Sequence, residues 1–455
     1  MRRAILTILI LGLFASLSYG DDVLLTIYND NFGLVKQIRN IEFPEGLGEV
    51  RFDDVASQID PTSVHISLQN PGVSILEQNY QYDLINTTKM MQKYIGSEIS
   101  IITEGGDKHR GVLLSFDGSY VLLRDSSGEI TITNAKQIVD YRFGSMPDGL
   151  ILKPTLVWLT DSDSKTNSEC EVSYLTDGIK WHTEYVAVVA DDEKNLDLSG
   201  WVSIENNSGA TYKDATLKLV AGTVNRIQPQ RGMMDMERLS YAAKGRAEQQ
   251  FEEESFFEYH LYSLSRPATV ANNEIKQISL FPETQTKATK VFTLESGRYG
   301  YWNSETEQKI RVNLEFENST SRGLGMPLPK GKLRVYKADK KGELQFIGED
   351  LIDHTTRDEK VRVFLGEAFD IKAERVKKNV VDLGKNHRRE TFEIKIKNHK
   401  DDDIMVTVVE PTAGWSEWKI TKSNIEYRKI SAYKVEFDVS VKANAENILT
   451  YTIEY

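Results

Sequence analysis

Apolar and polar residues alternate with a period of two over much of this 455-residue chain. The clearest runs place an apolar residue at every second position of 310–316, 392–396, 433–441 and 449–455. Because successive side chains of a strand point to opposite faces of a sheet, each run predicts a strand with one buried and one solvated face. Turn sequences rich in Gly, Asn and Asp separate the runs, as is typical of antiparallel sheets. We therefore expect a mainly β fold of multidomain antiparallel sandwiches.

Breaks in the alternation divide the expected fold into successive units. These are an N-terminal β unit at 21–90, a small β-barrel at 91–145, a main β-sandwich at 146–366 and an immunoglobulin-like C-terminal sandwich at 367–455. In the second unit, short apolar runs joined by tight glycine-bearing turns resemble the layout of SH3-like or Sm-like barrels. The stretch 228–254 shows no clear alternation, so we expect a mobile insertion in the main sandwich.

The N-terminus has the organisation of a secretory signal peptide. Arg2 and Arg3 precede an apolar run at 4–17, and small residues follow at 18–20. This order predicts a signal peptide at 1–20, and the apolar run is too short for a membrane span. We expect an exported, periplasmic or extracellular protein with no transmembrane segment in the mature chain.

Charge and cysteine content exclude several classes of function. The formal net charge is −12, and loss of Arg2 and Arg3 with the signal peptide makes it −14 (−12 − 2). Such a chain repels nucleic acid, so we expect no nucleic-acid partner. Cys170 is the only cysteine, which excludes an intramolecular disulfide and a cysteine-based zinc site.

Several segments carry a family resemblance. They lie at 176–185, 198–222, 258–262, 276–280, 327–336, 346–355 and 366–371. Together they resemble the bacterial family of exported proteins carrying domain of unknown function 4139, which is related to proteins named for the inhibition of mucoidy. The resemblance covers most of the chain after about Leu150. It implies a β-rich, exported protein and no established activity.

One acidic cluster contains ligand-capable side chains: Glu349, Asp350, Asp353 and His354. Carboxylates and a histidine can hold a divalent cation. On a strand, however, Glu349 and Asp350 point to opposite faces. The alternative is a strand that ends in a capped turn, in which Asp353 or His354 bonds to nearby backbone. We favour this second interpretation and expect no bound metal.

Two further groups are candidates for ligand binding. Trp181, His182 and Tyr185 could form an aromatic platform for a sugar, although the alternation of a strand places at least one of them in the core. Glu258 and His260 are two residues apart on an expected strand, within reach of a hydrogen bond. Without a nucleophile motif, such a pair is weak support for acid–base catalysis.

The sequence contains no Gly-x-Ser-x-Gly elbow, His-Glu-x-x-His helix, phosphate loop or dinucleotide fingerprint. We therefore expect no cofactor and favour a non-enzymatic interaction or structural protein of the cell envelope. Its expected partner is an envelope protein or a polysaccharide. The alternative is a carbohydrate-active or metal-dependent hydrolase built on the main sandwich.

Overall fold

The computed structural model describes residues 22–147, 149–222, 224–226, 250–296, 306–384, 387–412 and 417–455. The expected signal peptide at 1–20 and positions 228–249 of the expected insertion lie outside the described residues. No helix within the described ranges is long and apolar enough to cross a membrane.

The first fifteen strands are, in chain order, β1 (Asp22–Tyr28), β2 (Phe32–Phe43), β3 (Gly46–Asp53), β4 (His65–Leu68), β5 (Val73–Gln81), β6 (Glu98–Thr103), β7 (Lys108–Phe116), β8 (Tyr120–Arg124), β9 (Ile130–Asn134), β10 (Ile138–Arg142), β11 (Thr155–Ser162), β12 (Thr166–Asp177), β13 (Ile179–Val189), β14 (Asn195–Asn206) and β15 (Tyr212–Ala221). The strands that follow are β16 (Phe251–Phe256), β17 (Tyr259–Leu264), β18 (Ala268–Val270), β19 (Glu274–Glu295), β20 (Thr306–Glu317), β21 (Gly331–Ala338), β22 (Leu344–Ile352), β23 (Lys360–Gly384), β24 (His387–Asn398), β25 (Ile404–Pro411), β26 (Lys419–Ser423), β27 (Tyr427–Ser431), β28 (Lys434–Val441) and β29 (Ala445–Glu454). Helix α1 spans Thr87–Lys93, and 3₁₀ turns span Pro61–Ser63, Ala135–Gln137 and Thr320–Arg322. The expected mainly β fold is confirmed.

An eight-stranded sheet combines strands from 22–68 with strands from 166–270. Its order is β16-β17-β15-β1-β2-β12-β4, and β18 also pairs with β15. Strand β1 runs parallel to β15, with Leu25 beside Leu217, and antiparallel to β2. Strands from within 21–90 therefore share one sheet with strands from within 146–366. A separate three-stranded sheet has the order β3-β11-β5.

A thirteen-stranded sheet connects the two larger cores. Its main path is β22-β21-β13-β14-β19-β20-β23-β24-β29-β26, and β25, β27 and β28 join it through β19. The first core combines side chains of the eight-stranded sheet, such as Leu25, with side chains of β13, such as Trp181. The second core lies in the C-terminal part and includes Phe437 and Tyr451. Each fully buried large apolar side chain stabilises the fold by roughly 1.5–3 kcal/mol.

The expected small barrel is an open five-stranded sheet of order β10-β6-β7-β8-β9. Met91 of α1 packs into its core. Asn134 caps the 3₁₀ turn at Ala135–Gln137, and β10 then lies beside β6 at the far edge of the sheet. Within the described ranges no pairing joins β9 to β10. The short strands predicted a barrel, but the sheet that they form is not closed.

Strand β22 lies close to β23 because residue 348 is a glycine. A Cβ atom at Gly348 would be 2.5 Å from the carbonyl oxygen of Leu365 and 2.8 Å from its Cα. Next to this contact, the Asp350 carboxylate accepts a hydrogen bond from the backbone N–H of Phe364 at 2.8 Å. The hydrogen bond of Asp350 and the close approach at Gly348 thus hold β22 and β23 together.

Candidate functional site

The acidic cluster does not converge on one point. Glu349 pairs with Arg334 at 3.2 Å, whereas Asp350 turns toward the backbone of Phe364. Asp353 is exposed after the end of β22. Among the residues that the structure describes, no group of three or more His, Cys, Asp or Glu is placed to hold a metal ion.

The expected aromatic platform on β13 is corrected by the structure. Trp181 and Tyr185 are 1% and 0% exposed and belong to the first core. The Trp181 indole N–H donates to the carbonyl of Val220 at 3.1 Å. His182 lies on the opposite, solvated face, where its Nε2 is 3.5 Å from Glu184. The rings cannot stack on a ligand because both face the inside of the sandwich.

Tyr185 instead helps to fix a backbone segment at the edge of this core. Its hydroxyl donates to the carbonyl of Pro329 at 2.7 Å, and the hydroxyl of Tyr262 donates to the carbonyl of Pro327 at 3.0 Å. Burial raises the pKa of both phenols, so they remain protonated donors at neutral pH. The two tyrosine hydroxyls therefore anchor the segment 327–330 to the core through its backbone carbonyls.

His260 has a carboxylate partner, but it is Glu253 and not Glu258. The β16–β17 hairpin places Ser255 opposite His260, and the Nδ1 atom of His260 is 2.7 Å from a Glu253 carboxylate oxygen. Glu258 is exposed in the turn of the hairpin. The expected pairing of Glu258 with His260 is corrected because residue 258 belongs to the turn and not to the strand.

His260 lies within electrostatic range of His354, and we call these two residues the histidine pair. The Nδ1 atom of His354 accepts a hydrogen bond from the backbone N–H of Lys330 at 3.2 Å. His354 is exposed at the surface, but partial desolvation of its ring lowers its pKa, and the charges of Lys330 and His260 lower it further against the opposing effect of Asp353. His354 is therefore a neutral ring at neutral pH.

The hydrogen bonds determine what each imidazole of the pair can offer. A carboxylate oxygen accepts hydrogen bonds, so Nδ1 of His260 is the donor in the contact with Glu253, and Nε2 of the same ring remains for a ligand. Nδ1 of His354 accepts from Lys330, so the proton of its neutral ring is on Nε2. The pair thus offers two Nε2 atoms, of which that of His354 is a hydrogen-bond donor.

Exposed aromatic side chains lie at the end of the same hairpin. Phe256 and Phe257 are 57% and 83% exposed, and the rings of Phe257 and Tyr259 are 6.3 Å apart. We call Phe256, Phe257 and Tyr259 the aromatic tip. Tyr259 packs so closely over Gly222 that a Cβ atom there would be 2.5 Å from its ring.

A second aromatic pair lies at the turn between β1 and β2, near Tyr259. The rings of Tyr28 and Phe32 stack with centroids 4.3 Å apart. Burial, followed by the nearby Tyr259, raises the pKa of Tyr28. Tyr259 of the tip therefore lies near this stacked pair.

Phe257 adopts an unusual backbone conformation for a bulky residue. Its φ is +57°, a left-handed value that is rare for large side chains. In a hairpin turn with positive φ at the first central position, glycine is preferred. A phenylalanine at this position therefore retains backbone strain while exposing a large apolar ring.

Sequence reasoning missed Glu253, Phe256 and Phe257. The expected insertion at 228–254 includes the acidic run 252–254, which the structure places in β16. A signal was present in the sequence: Phe251–Phe256 and Tyr259–Leu264 are equal in length and flank a two-residue turn.

Comparison with protein-family models and with curated proteins gave no match to this chain.

Proposed function

We propose that this chain is an exported, non-enzymatic interaction protein of the bacterial cell envelope that binds polysaccharide through the aromatic tip and the histidine pair. We also propose that it belongs to the exported family with domain of unknown function 4139. The order of the segments between 176 and 371 supports the family assignment. The apolar run at 4–17 supports export. An immunoglobulin-like C-terminal sandwich is part of the same proposal.

The exposed, strained Phe257 carries the functional proposal. A ring that is 83% exposed gains little from burial in the monomer, and its positive φ costs backbone free energy. Contiguous exposed apolar surface on a soluble protein commonly marks a binding site. We infer that the tip is retained for contact with a ligand.

The chemistry around the tip favours a sugar polymer over a wholly apolar ligand. Aromatic rings stack on apolar faces, and Phe257 with Tyr259 provides two rings on one turn. Nε2 of His260 and the Nε2 donor of His354 suit the hydroxyl groups of a sugar, which both donate and accept. The Glu253 carboxylate fixes the orientation of His260 at 2.7 Å. Because the hairpin belongs to a large sheet, the groups are presented on a rigid support.

Affinity electrophoresis through gels that contain soluble polysaccharides tests the proposal. We expect retardation of the wild type and at least about tenfold weaker binding for Phe257→Gly. Glycine relaxes the positive φ, so the melting temperature of this variant should not fall. Phe369→Ala is the matched control because Phe369 is 88% exposed on β23.

Two results would contradict the proposal. Equal retardation of Phe257→Gly and the wild type would exclude the tip as the binding surface. No retardation by neutral or acidic polysaccharides would refute the polysaccharide ligand and favour an envelope protein as the partner. N-terminal sequencing of the exported protein tests localisation, since recovery of Met1 would refute cleavage near residue 21.

The Glu253–His260 contact favours one second candidate, a carbohydrate-active hydrolase. Nε2 of His260 could accept a proton from water while Glu253 holds the ring, as in other carboxylate–histidine pairs. Release of reducing ends from a bound polysaccharide, lost in His260→Ala, would establish this activity. Binding without any release of reducing ends would support the non-enzymatic proposal.

A further inference from the structure

Strand β9 leaves an uncharged apolar edge on the five-stranded sheet. Ile130 and Ile132 are 55% and 63% exposed, while Thr131 and Thr133 face the inner side. None of the residues from Ile130 to Asn134 is charged. Among the described strands only β8 pairs with β9, so backbone N–H and C=O groups along its other edge are available to a further strand.

Two other edge strands, β10 and β16, carry the charges that usually prevent edge-to-edge association. Strand β10, at the opposite edge of the same sheet, has Asp140 and Arg142 and an irregularity in its register. Strand β16, at one edge of the eight-stranded sheet, has Glu252 and Glu254 exposed. The uncharged, β-branched sequence of β9 differs from both and is suited to strand pairing.

We propose that two copies of this chain associate through antiparallel pairing of β9 with β9 of the second copy. In the proposed register, Ile130 of each copy lies opposite Ile132 of the other, and the two Thr131 residues meet at the twofold axis. Residues directly opposite each other in an antiparallel pair share a face. This register therefore keeps the outer faces continuous and joins the five-stranded sheets into one of ten strands.

The self-complementary pattern of β9 favours a second copy as the occupant. The proposed register makes two Ile–Ile contacts, whereas a shift that centres the axis on Ile132 would place Ile130 opposite Asn134. Leu122 lies beside Ile132 on the same sheet, which extends the apolar row from each copy. Glu129 lies opposite Thr133 of the second copy, so the two Glu129 carboxylates do not face each other. A twofold arrangement of this kind is the commonest form of homodimer.

Sedimentation equilibrium of the purified mature protein over a concentration series tests the proposal. We expect a reversible monomer–dimer equilibrium that Ile132→Lys weakens by at least about tenfold, since the twofold axis makes each substitution count twice. Val139→Lys is the matched control because Val139 is 64% exposed on the opposite edge strand β10. Monomers at every concentration, or equal weakening by the two variants, would overturn the β9–β9 contact.

Cysteine cross-linking tests the register independently. The native Cys170 is buried, so an introduced cysteine is the main reactive thiol. Thr131→Cys should form a disulfide-linked dimer under mild oxidation because the two positions are directly opposed across the axis. Ile132→Cys should cross-link much less. The reverse preference would refute the proposed register, and so would linkage of neither variant in a sample that sediments as a dimer.

Discussion

A buried carboxylate in the C-terminal core provides the most demanding test of the packing. Glu410 is 1% exposed and accepts hydrogen bonds from the guanidinium of Arg375, with the shortest at 2.7 Å. The hydroxyl of Tyr451 donates to the same carboxylate at 2.6 Å, and the Ser296 hydroxyl donates to it as well. The guanidinium also lies 4.1 Å above the ring of Phe392. We predict that Arg375→Ala strongly destabilises this core.

The magnitude follows from what remains after the substitution. The Glu410 carboxylate stays buried with two neutral donors but without its cation, and breaking a buried ion pair in this way costs about 3–5 kcal/mol. Loss of the contact with Phe392 adds about 0.5–1 kcal/mol. The double variant Arg375→Met with Glu410→Leu should recover much of the loss, because it removes the charge together with its partner.

Urea denaturation followed by intrinsic fluorescence measures the effect. With a slope of about 3 kcal/mol per molar, the midpoint of Arg375→Ala should fall by about 1 M or more. Arg389→Ala is the control, because Arg389 pairs with Glu454 at 3.0 Å on the surface of the same sheet, where a pair contributes about 0–1 kcal/mol. If Arg375→Ala is no more destabilising than Arg389→Ala, the reasoning from burial is refuted.

Two other substitutions test the contact of β22 with β23 and the environment of His354. Gly348→Ala should lower the free energy of unfolding by about 1–3 kcal/mol in thermal melts, because the added Cβ would overlap the Leu365 backbone. Gly366→Ala, at a similar φ but with open space around it, should cost less, and equal effects would contradict the close-approach argument. Because the pKa of His354 is lowered in the folded state, the unfolded state takes up its proton first as the pH falls below about 6.5, and stability then decreases. The fall in urea midpoint between about pH 7.5 and 5.5 should therefore be smaller in His354→Gln than in the wild type or the exposed control His65→Gln, and an unchanged fall would refute the role of burial.

The alternation of apolar and polar residues is enough to predict the strand class and the direction of many side chains. In the run at 433–441, Val435, Phe437, Val439 and Val441 are buried as the alternation predicts. The same holds for Leu449, Tyr451 and Ile453 of β29, which lies between β24 and β26. These features are predictable because the period of two is a local property of the backbone. The opposite orientations of Glu349 and Asp350 follow from the same rule.

The choice of neighbouring strands, in contrast, depends on long-range packing. The parallel pairing of Leu25 with Leu217 joins segments far apart in the chain, and no local pattern specifies such a register. Strand β23 likewise runs through both larger cores over 25 residues, whereas the alternation suggested a boundary at 366. The edge left open on β9 also depends on the position of β10 beside β6. Long-range pairing results from the simultaneous burial of many faces, so it is not encoded in any one segment.

The candidate site also combines features that follow from the local sequence with features that depend on long-range packing. His260 and His354 were each recognisable as polar residues with hydrogen-bonding capacity, but His260 lies on β17 and His354 in the loop after β22, and only the fold brings them within electrostatic range. Glu253 became the partner of His260 because a two-residue turn set the hairpin register. Trp181 and Tyr185 looked like ligand-binding aromatics, and the closure of the sandwich buried them. A sequence determines which side chains are available and which face of a strand they occupy, while long-range packing determines which of them meet and which remain exposed.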